Sequence, residues 1–361
     1  MEHPVNERAG LPVLSSTPVI ATICPMELLD SSDKSLKMAG QAIAAGKLVV
    51  IPTETVYGLG ADAFNPDAVV RVFEAKRRPS FDPLIVHIAR LDQIDRLVSK
   101  FAPKARILAE NLWPGPLTLV LPKRPEVPDI VTSGLDTVAV RFPSQVLARK
   151  IIEYSGTVVA APSANPFGYV SPTTAQHVAR SLGDRVDFIV DGGACEVGLE
   201  SSVLDMTGPA PRLLRPGGMP LERIQELVGE VLLSQDPEKV VTSPGQLPSH
   251  YAPHAKLYLM EREKFHSVFG RIKHPDTTAF ILFSAEARDE MAGIELFGKV
   301  EVLSDKSDMR EAASRLFALL NELDTQGIES IYAERVPDIG LGRAINDRLS
   351  RASYKAKLSL D

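Results

Sequence analysis

The sequence predicts an α/β fold in two units, and three observations carry that prediction. Short apolar runs bounded by turn residues alternate with segments of helical period along most of the chain. Its 361 residues exceed what one hydrophobic core usually spans. The stretch between Leu233 and Ala255, with Asp236-Pro237, Ser243-Pro244-Gly245, Pro248 and Pro253, interrupts the alternation, which then restarts. The expected units are residues 20–233 and 255–361, joined by a semi-rigid linker over 234–254.

Taken in order, residues 1 to about 20 read as a loose arm. Ser35–Gly46 is a helix with a weak apolar stripe of Leu36, Ala39 and Ile43, and Leu48–Ile51 an apolar strand. Asn65-Pro66-Asp67 starts a helix, with Asn as cap, Pro in the first turn and an acid at the positive end. It carries Val69, Val72, Phe73 and Lys76 on one side and stops at Pro79, so Lys76, Arg77 and Arg78 stand at its end. Leu84–Ile88 is a buried strand with a single imidazole, His87. Leu91–Lys100 and Lys104–Leu112 read as helices, the second broken by Trp113-Pro-Gly-Pro116. Then follow strand Leu117–Leu121, the loop Pro122–Pro128, strand Thr137–Arg141, helix Gln145–Tyr154, strand Thr157–Ala161 and helix Pro172–Leu182, opened by Ser171. Strand Asp187–Val190 ends at Asp191-Gly-Gly193. Ser202–Asp205 and Arg212–Leu214 form a strand pair, and Leu221–Leu233 is a helix. Beyond the linker come strands Leu257–Met260 and Ala279–Phe283. An amphipathic helix on Met309, Ala312, Leu316, Leu320 and Leu323 stops near Gly327. Strand Ser330–Ala333 and helix Ala344–Ala352 close the chain.

Composition narrows the function. A hydrophobic content of 44% is ordinary for a globular chain. A net charge of -6 argues against wholesale coating of nucleic acid but leaves room for a local basic groove. Two cysteines, Cys24 and Cys195, make neither a disulfide framework nor a thiolate zinc site. With no basic-then-apolar leader and no run of 18 apolar residues, the expectation is a cytoplasmic protein without a membrane span.

Two Gly-rich matches do not hold. Gly58-Leu-Gly60-Ala-Asp-Ala63 fits the dinucleotide fingerprint loosely, but the mostly polar stretch Pro52–Tyr57 separates it from the strand and the helix begins after it. Gly40–Leu48 has five residues between its glycines and Leu48 where a hydroxyl belongs. Among seven histidines, His250 and His254 are four apart, but Pro253 denies them the helix a metal pair needs. No metal site is predicted.

What remains is polar clusters at strand ends, where binding groups are held. The turn Thr53-Glu54-Thr55-Val-Tyr57 follows the first apolar strand. Ala161-Pro-Ser163-Ala-Asn165 follows another, Ser171-Pro-Thr-Thr opens a helix, and Glu200-Ser201-Ser202 and Arg215-Pro-Gly-Gly lie further on. Each has a plainer reading. Ser171 caps a helix or binds phosphate, Arg141 pairs with an internal carboxylate or with a bound anion, and His87 is a satisfied core residue or a ligand. Together they describe hydroxyls, several fixed cations and one imidazole, with few acids and no evident nucleophile. That set fits a polyanion held beside a small zwitterion, and phosphoryl or nucleotidyl transfer by positioning and charge neutralisation.

These residues resemble the YrdC-like family, in its long two-domain form of threonylcarbamoyl-AMP synthase. The motifs are P-T-E-T-V-Y-G-L-G, K-R-R-P-S-x-x-P-L-I-V-H, W-P-G-P-L-T, V-A-V-R-F-P, A-P-S-A-N, S-P-T, D-G-G, G-L-E-S-S-V, L-R-P-G and S-P-G-Q-L-P-S-H-Y-A-P, running in order from about Leu48 to Pro253. Ser202 stands where the family more often has Thr. The resemblance implies a twisted, mixed, open sheet with helices and a smaller C-terminal Rossmann-like α/β domain. It implies synthesis of L-threonylcarbamoyl-adenylate and pyrophosphate from L-threonine, bicarbonate or CO2, and ATP, with Mg2+ held mainly by the phosphates. The product would serve a downstream tRNA threonylcarbamoyl transferase complex. By the same resemblance Thr55, His87, Arg141, Ala161 and Ser201 would bind threonine. Arg78, Asp82, Thr137, Ser163, Ser171, Arg215 and Tyr251 would bind ATP, with Lys76 facing the phosphates. Lys76, Arg78 and Arg141 would neutralise charge in the reaction, and the linker would close over the site. Two rivals stand beside this reading. A carbamoyl-transfer module of the hydrogenase-maturation type needs Cys-rich zinc motifs that two cysteines cannot supply. A tRNA or double-stranded RNA binder without catalysis would use the basic residues Lys76, Arg77, Arg78, Arg149 and Lys150.

Overall fold

A computed structural model describes residues 26–233, 250–354 and 356. The expected N-terminal arm and residues 234–249 of the linker lie outside the described residues. Eleven strands of the first unit are described: β1 (Glu27–Leu29), β2 (Val49–Ile51), β3 (Gly58–Asp62), β4 (Ile85–His87), β5 (Leu117–Pro122), β6 (Thr137–Arg141), β7 (Val159–Ala160), β8 (Phe188–Val190), β9 (Ser202–Asp205), β10 (Arg212–Arg215) and β11 (Leu232–Leu233). They form a mixed sheet in the order β1-β8-β2-β3-β7-β4-β6-β5-β9-β10-β11. Alternation along the strands sends side chains to opposite faces. Val50 enters the larger core with Val69 and Val72 of helix Pro66–Lys76, while Val49 and Ile51 pack with Leu36, Ile43 and Ile151 on the other side.

The second unit is a parallel sheet of β12 (Lys256–Met260), β13 (Thr278–Leu282), β14 (Lys299–Val302) and β15 (Ser330–Glu334), ordered β12-β15-β13-β14. Helices Met309–Thr325 and Gly342–Ala352 cover one face through Leu316, Leu320 and Leu349. That core also takes in Val56, Val170 and Leu199 of the first unit, so the two units meet through a continuous apolar seam. At Gly198 (φ +71) the backbone lies so close to the helix that an added Cβ would stand 2.5 Å from Ser314 Cα.

Several elements depart from the sequence expectation. The helix expected over Leu221–Leu233 ends at Val228, because Gly229 takes φ +78, and Leu232–Leu233 becomes an edge strand. Leu91–Lys100 is only a 3-10 turn, Leu91–Arg96, after which Val98 bridges back to Lys123. Helix Pro172–Leu182 begins at Ala175, and Thr174, not Ser171, caps it by accepting the amide of His177. Ser171 therefore opens no helix, and its hydroxyl is engaged elsewhere. Arg77 is the C-cap in the left-handed region (φ 53), so Arg78 lies beyond the helix. The Gly58–Asp62 stretch, met above as a false fingerprint, is a strand paired antiparallel with β2.

Candidate active site

Strand register builds the site. β4 and β6 run parallel with His87 beside Arg141, and β6 meets β5 with Arg141 beside Thr118. Residues paired in register share a face, so imidazole, guanidinium and hydroxyl stand in a row across three strands. Leu84, Val86 and Ile88 point into the core on the opposite face. Thr118 Oγ1 lies 2.7 Å from Ser201 Oγ, and Arg215 Nη2 donates to the Ser201 carbonyl at 2.9 Å, so the loop before β9 joins this wall. The remaining walls come from Arg78, from Ala161 and Ser163 after β7, and from Glu200. His250 and Tyr251 form the roof. The space between them admits the centres of water-sized molecules over only about 40 Å³, well short of the roughly 300–1,000 Å³ of a small-molecule site.

The buried charges come in pairs. Arg141 Nη2 lies 2.7 Å from Glu54 Oε1, both side chains almost fully buried. The pair is in ionic contact without hydrogen-bond alignment: Glu54 Oε1 and Oε2 and Arg141 Nε and Nη2 all lack a hydrogen-bond partner. Arg78 Nη2 lies 2.8 Å from Asp82 Oδ2, and Arg78 also donates to the carbonyls of Asp82 and Pro83. Glu200 accepts from Ser171 Oγ at 2.5 Å and from Arg348 Nε at 2.7 Å. Burial pushes the Glu200 carboxyl up, but Arg348, Arg215 and the Ser171 hydroxyl outweigh it and hold it below the usual range. Lys76 donates to the carbonyls of Ser163 and Asn165, each at 2.5 Å. Burial, reinforced by Arg78, drives it well below an ordinary lysine.

Of the residues expected from the sequence, Arg78, His87, Arg141, Ala161, Ser163, Ser201, Arg215 and Tyr251 line one cavity. Thr55, Lys76, Asp82 and Ser171 stand one contact behind it, on Thr53, Ser163, Arg78 and Glu200 respectively. Thr137 begins β6 at the far end from Arg141, about 13 Å along the strand. Sequence reasoning assigned no role to Glu54, Glu200 or His250. Glu54 was visible in the polar turn and Glu200 in Glu-Ser-Ser, but their partners Arg141 and Arg348 are distant in sequence.

Burial, together with the neighbouring Arg141 cation, lowers the pKa of His87 from 6.5 to about 3. The fold therefore holds the neutral ring. Its contribution to stability is complete above the unfolded value near 6.5 and is lost as pH falls toward 3. His177 and His250 shift in the same direction. Melting temperature should drop between pH 7 and pH 5, and His87→Gln should flatten that slope by up to about 1.4 kcal/mol per pH unit. An unchanged slope in the variant would mean that the ring titrates in the fold as it does in the unfolded chain.

Comparison with known proteins places the chain in a family. A family model described as "Telomere recombination", for the Sua5, YciO and YrdC group, matches residues 41–217. A second, described as "Threonylcarbamoyl-AMP synthase, C-terminal domain", matches residues 219–353. A Pyrococcus abyssi protein named threonylcarbamoyl-AMP synthase is 42% identical over 331 residues, spanning 88% of this chain and 94% of the relative. A Bacillus subtilis protein of the same name is 40% identical over 332 residues, spanning 90% and 94%. The crystal structure of P. abyssi Sua5 complexed with L-threonine matches with a TM-score of 0.84 at 40% identity, covering 91% of this chain and 97% of that one.

Proposed function

Because the chain belongs to the Sua5, YciO and YrdC family, in the two-domain form with the threonylcarbamoyl-AMP synthase C-terminal domain, we propose that it makes L-threonylcarbamoyl-adenylate and pyrophosphate from L-threonine, bicarbonate or CO2, and ATP. It is then a nucleotidyltransferase, and its product feeds a transferase that modifies the adenosine beside the anticodon of some tRNAs. The observation that carries this is the in-register pair of His87 and Arg141 lining one cavity together with Arg78 and Arg215.

Each side chain has a part in that reading. Arg141 grips the threonine carboxylate through Nε, a buried donor that lacks a hydrogen-bond partner, and through Nη2, which it shares with Glu54 at 2.7 Å. Glu54 faces the amine, matching the zwitterion's two charges with two of its own. Thr55, His87, Ala161 and Ser201 shape the pocket around the amino acid. The ammonium loses one proton to solvent, its nitrogen attacks CO2 and gives up a second proton to leave the N–H carbamate, and a carbamate oxygen attacks the α-phosphorus as pyrophosphate leaves. Arg78 and Arg215 neutralise the growing phosphate charge, and Ser163 and Tyr251 border the nucleotide. Lys76, Asp82 and Ser171 fix the residues that touch ATP, and Thr137 marks the outer edge of the nucleotide side. Entry of a triphosphate requires the roof of His250 and Tyr251 to lift, and its return excludes water from the labile adenylate.

Among the described residues no three His, Cys, Asp or Glu gather into a metal-ligating set. Mg2+ fits as a companion of the phosphates, where it would help neutralise the leaving group. No helix among the described residues is long and apolar enough to cross a membrane, in keeping with a proposed place in the cytoplasm. The test is direct: purified protein with ATP and bicarbonate should release pyrophosphate only when L-threonine is added. Release without threonine, or none with it, overturns the proposal; the latter together with tight RNA binding would favour a non-catalytic RNA-binding module.

A further inference from the structure

One buried side chain of the C-terminal unit touches three parts of the site at once. Arg348, on helix Gly342–Ala352, is 1% exposed. Its Nε donates to Glu200 Oε2 at 2.7 Å, and its Nη1 to the Pro216 carbonyl at 3.0 Å and to Asp347 Oδ2 at 2.6 Å. Its guanidinium carbon lies 4.9 Å from the centre of the Tyr251 ring. Three separate parts of the site therefore meet on one planar cation: the loop before β9, the turn after β10, and the roof.

From these contacts we propose that Arg348 is a positioning residue for the active site, through which the C-terminal unit sets the geometry of Ser201 and Tyr251. The inference rests on the functional reading above. The loop it anchors is already drawn tight. Gly218 N donates to the Glu200 carbonyl at 2.9 Å, and a Cβ on Gly217 would lie 2.3 Å from the Ser201 carbonyl carbon. Glu200 in turn holds Ser171, whose carbonyl accepts from Asn321 Nδ2 of helix Met309–Thr325 at 3.1 Å. Tyr251 is held on a second side by Phe317, also of that helix, with ring centres 5.6 Å apart. Tyr251 has φ 62, a conformation that a bulky residue adopts only where its surroundings impose it. Arg348 and Phe317 supply those surroundings.

The arrangement is not optimised for stability alone. Arg348 Nη2 is buried without a hydrogen-bond partner, which disfavours the fold. A methionine of similar length could fill the same space if Glu200 were neutral. A structural role and a positioning role thus predict different outcomes for a pair of variants.

The experiment compares wild type, Arg348→Met and Arg348→Met/Glu200→Gln in the full chain. Readouts are melting temperature, threonine-dependent pyrophosphate release, and amide hydrogen exchange in peptides covering 198–202 and 250–254. Arg348→Met strands the Glu200 carboxylate and should melt early, while the double variant should melt close to wild type. In both, kcat/KM for ATP should fall by roughly 100-fold, and both peptides should exchange faster. A double variant with wild-type melting, wild-type kcat/KM and wild-type exchange overturns the proposal. If Arg348→Met does not fold, Arg348→Lys replaces it: the lysine keeps the charge but loses the fork to Pro216 and the flat stack on Tyr251. The same loss of kcat/KM is expected, and full activity in the lysine variant counts against positioning. Should wild type itself release no pyrophosphate, the functional reading fails. The exchange rates still decide whether Arg348 orders the two segments.

Discussion

Arg141→Ala raises the threonine concentration needed for half-maximal pyrophosphate release by roughly 100-fold and moves the ATP requirement by less than about threefold. The asymmetry follows from where the guanidinium sits. It stands on β6 beside His87 and Thr118, with Arg78 and Arg215 on other walls to meet the phosphates. A fork of two N–H donors matches a carboxylate in geometry as well as charge, and alanine removes both at once. Part of the measured loss will come from what remains. Glu54, almost fully buried, loses its ionic partner and repels the incoming carboxylate. Arg141→Ala/Glu54→Gln separates the two contributions: relief of the repulsion should recover some threonine affinity, and the missing fork should keep the rest lost. Equal losses for threonine and ATP in the single variant would remove Arg141 from the amino-acid subsite.

Local chemistry made much of this legible beforehand. Asn65-Pro66 does start a helix, with Asn65 Oδ1 accepting from Ala68 N, and the apolar run at Leu84–Ile88 is a buried strand. Elements whose signal was weak or tied to distant partners escaped. β1 has two exposed residues in three, and β14 reads Lys-Val-Glu-Val with little burial; both are edge strands, β1 held by pairing with the remote β8 and β14 by pairing with β13. Ser171, Thr173 and Thr174 are all chemically able to cap a helix. The choice fell to Thr174 because the Ser171 hydroxyl is taken by Glu200. The site follows the same division. Residue types at strand ends pointed to anion binding, and the family resemblance supplied individual roles. The register that sets His87 beside Arg141 is a long-range property that no local pattern encodes. The ion pairs Glu54–Arg141 and Glu200–Arg348 join residues 87 and 148 positions apart, and were invisible for the same reason.

The mirror-image result is expected on the nucleotide side. Arg78→Ala should raise the ATP requirement by roughly 100-fold with little change for threonine, and it should also destabilise the protein by about 3–5 kcal/mol. The second effect needs its own control. Asp82 is fully buried, and neither of its carboxylate oxygens has an aligned hydrogen bond, so Arg78 at 2.8 Å is its main compensation. Burial already pushes its carboxyl up against the pull of Arg78 and Lys76. Removing the arginine therefore leaves an acid that must protonate or draw in water. In Arg78→Ala/Asp82→Asn no charge is stranded, and the melting temperature should return most of the way to wild type. Phosphate affinity should not return, because asparagine restores no cation to the cavity wall. Recovery of both properties in the double variant would show that Arg78 serves only to neutralise Asp82. Recovery of stability alone assigns its charge to ATP, and with Arg141 answering only to threonine, the two halves of the cavity become separable by kinetics.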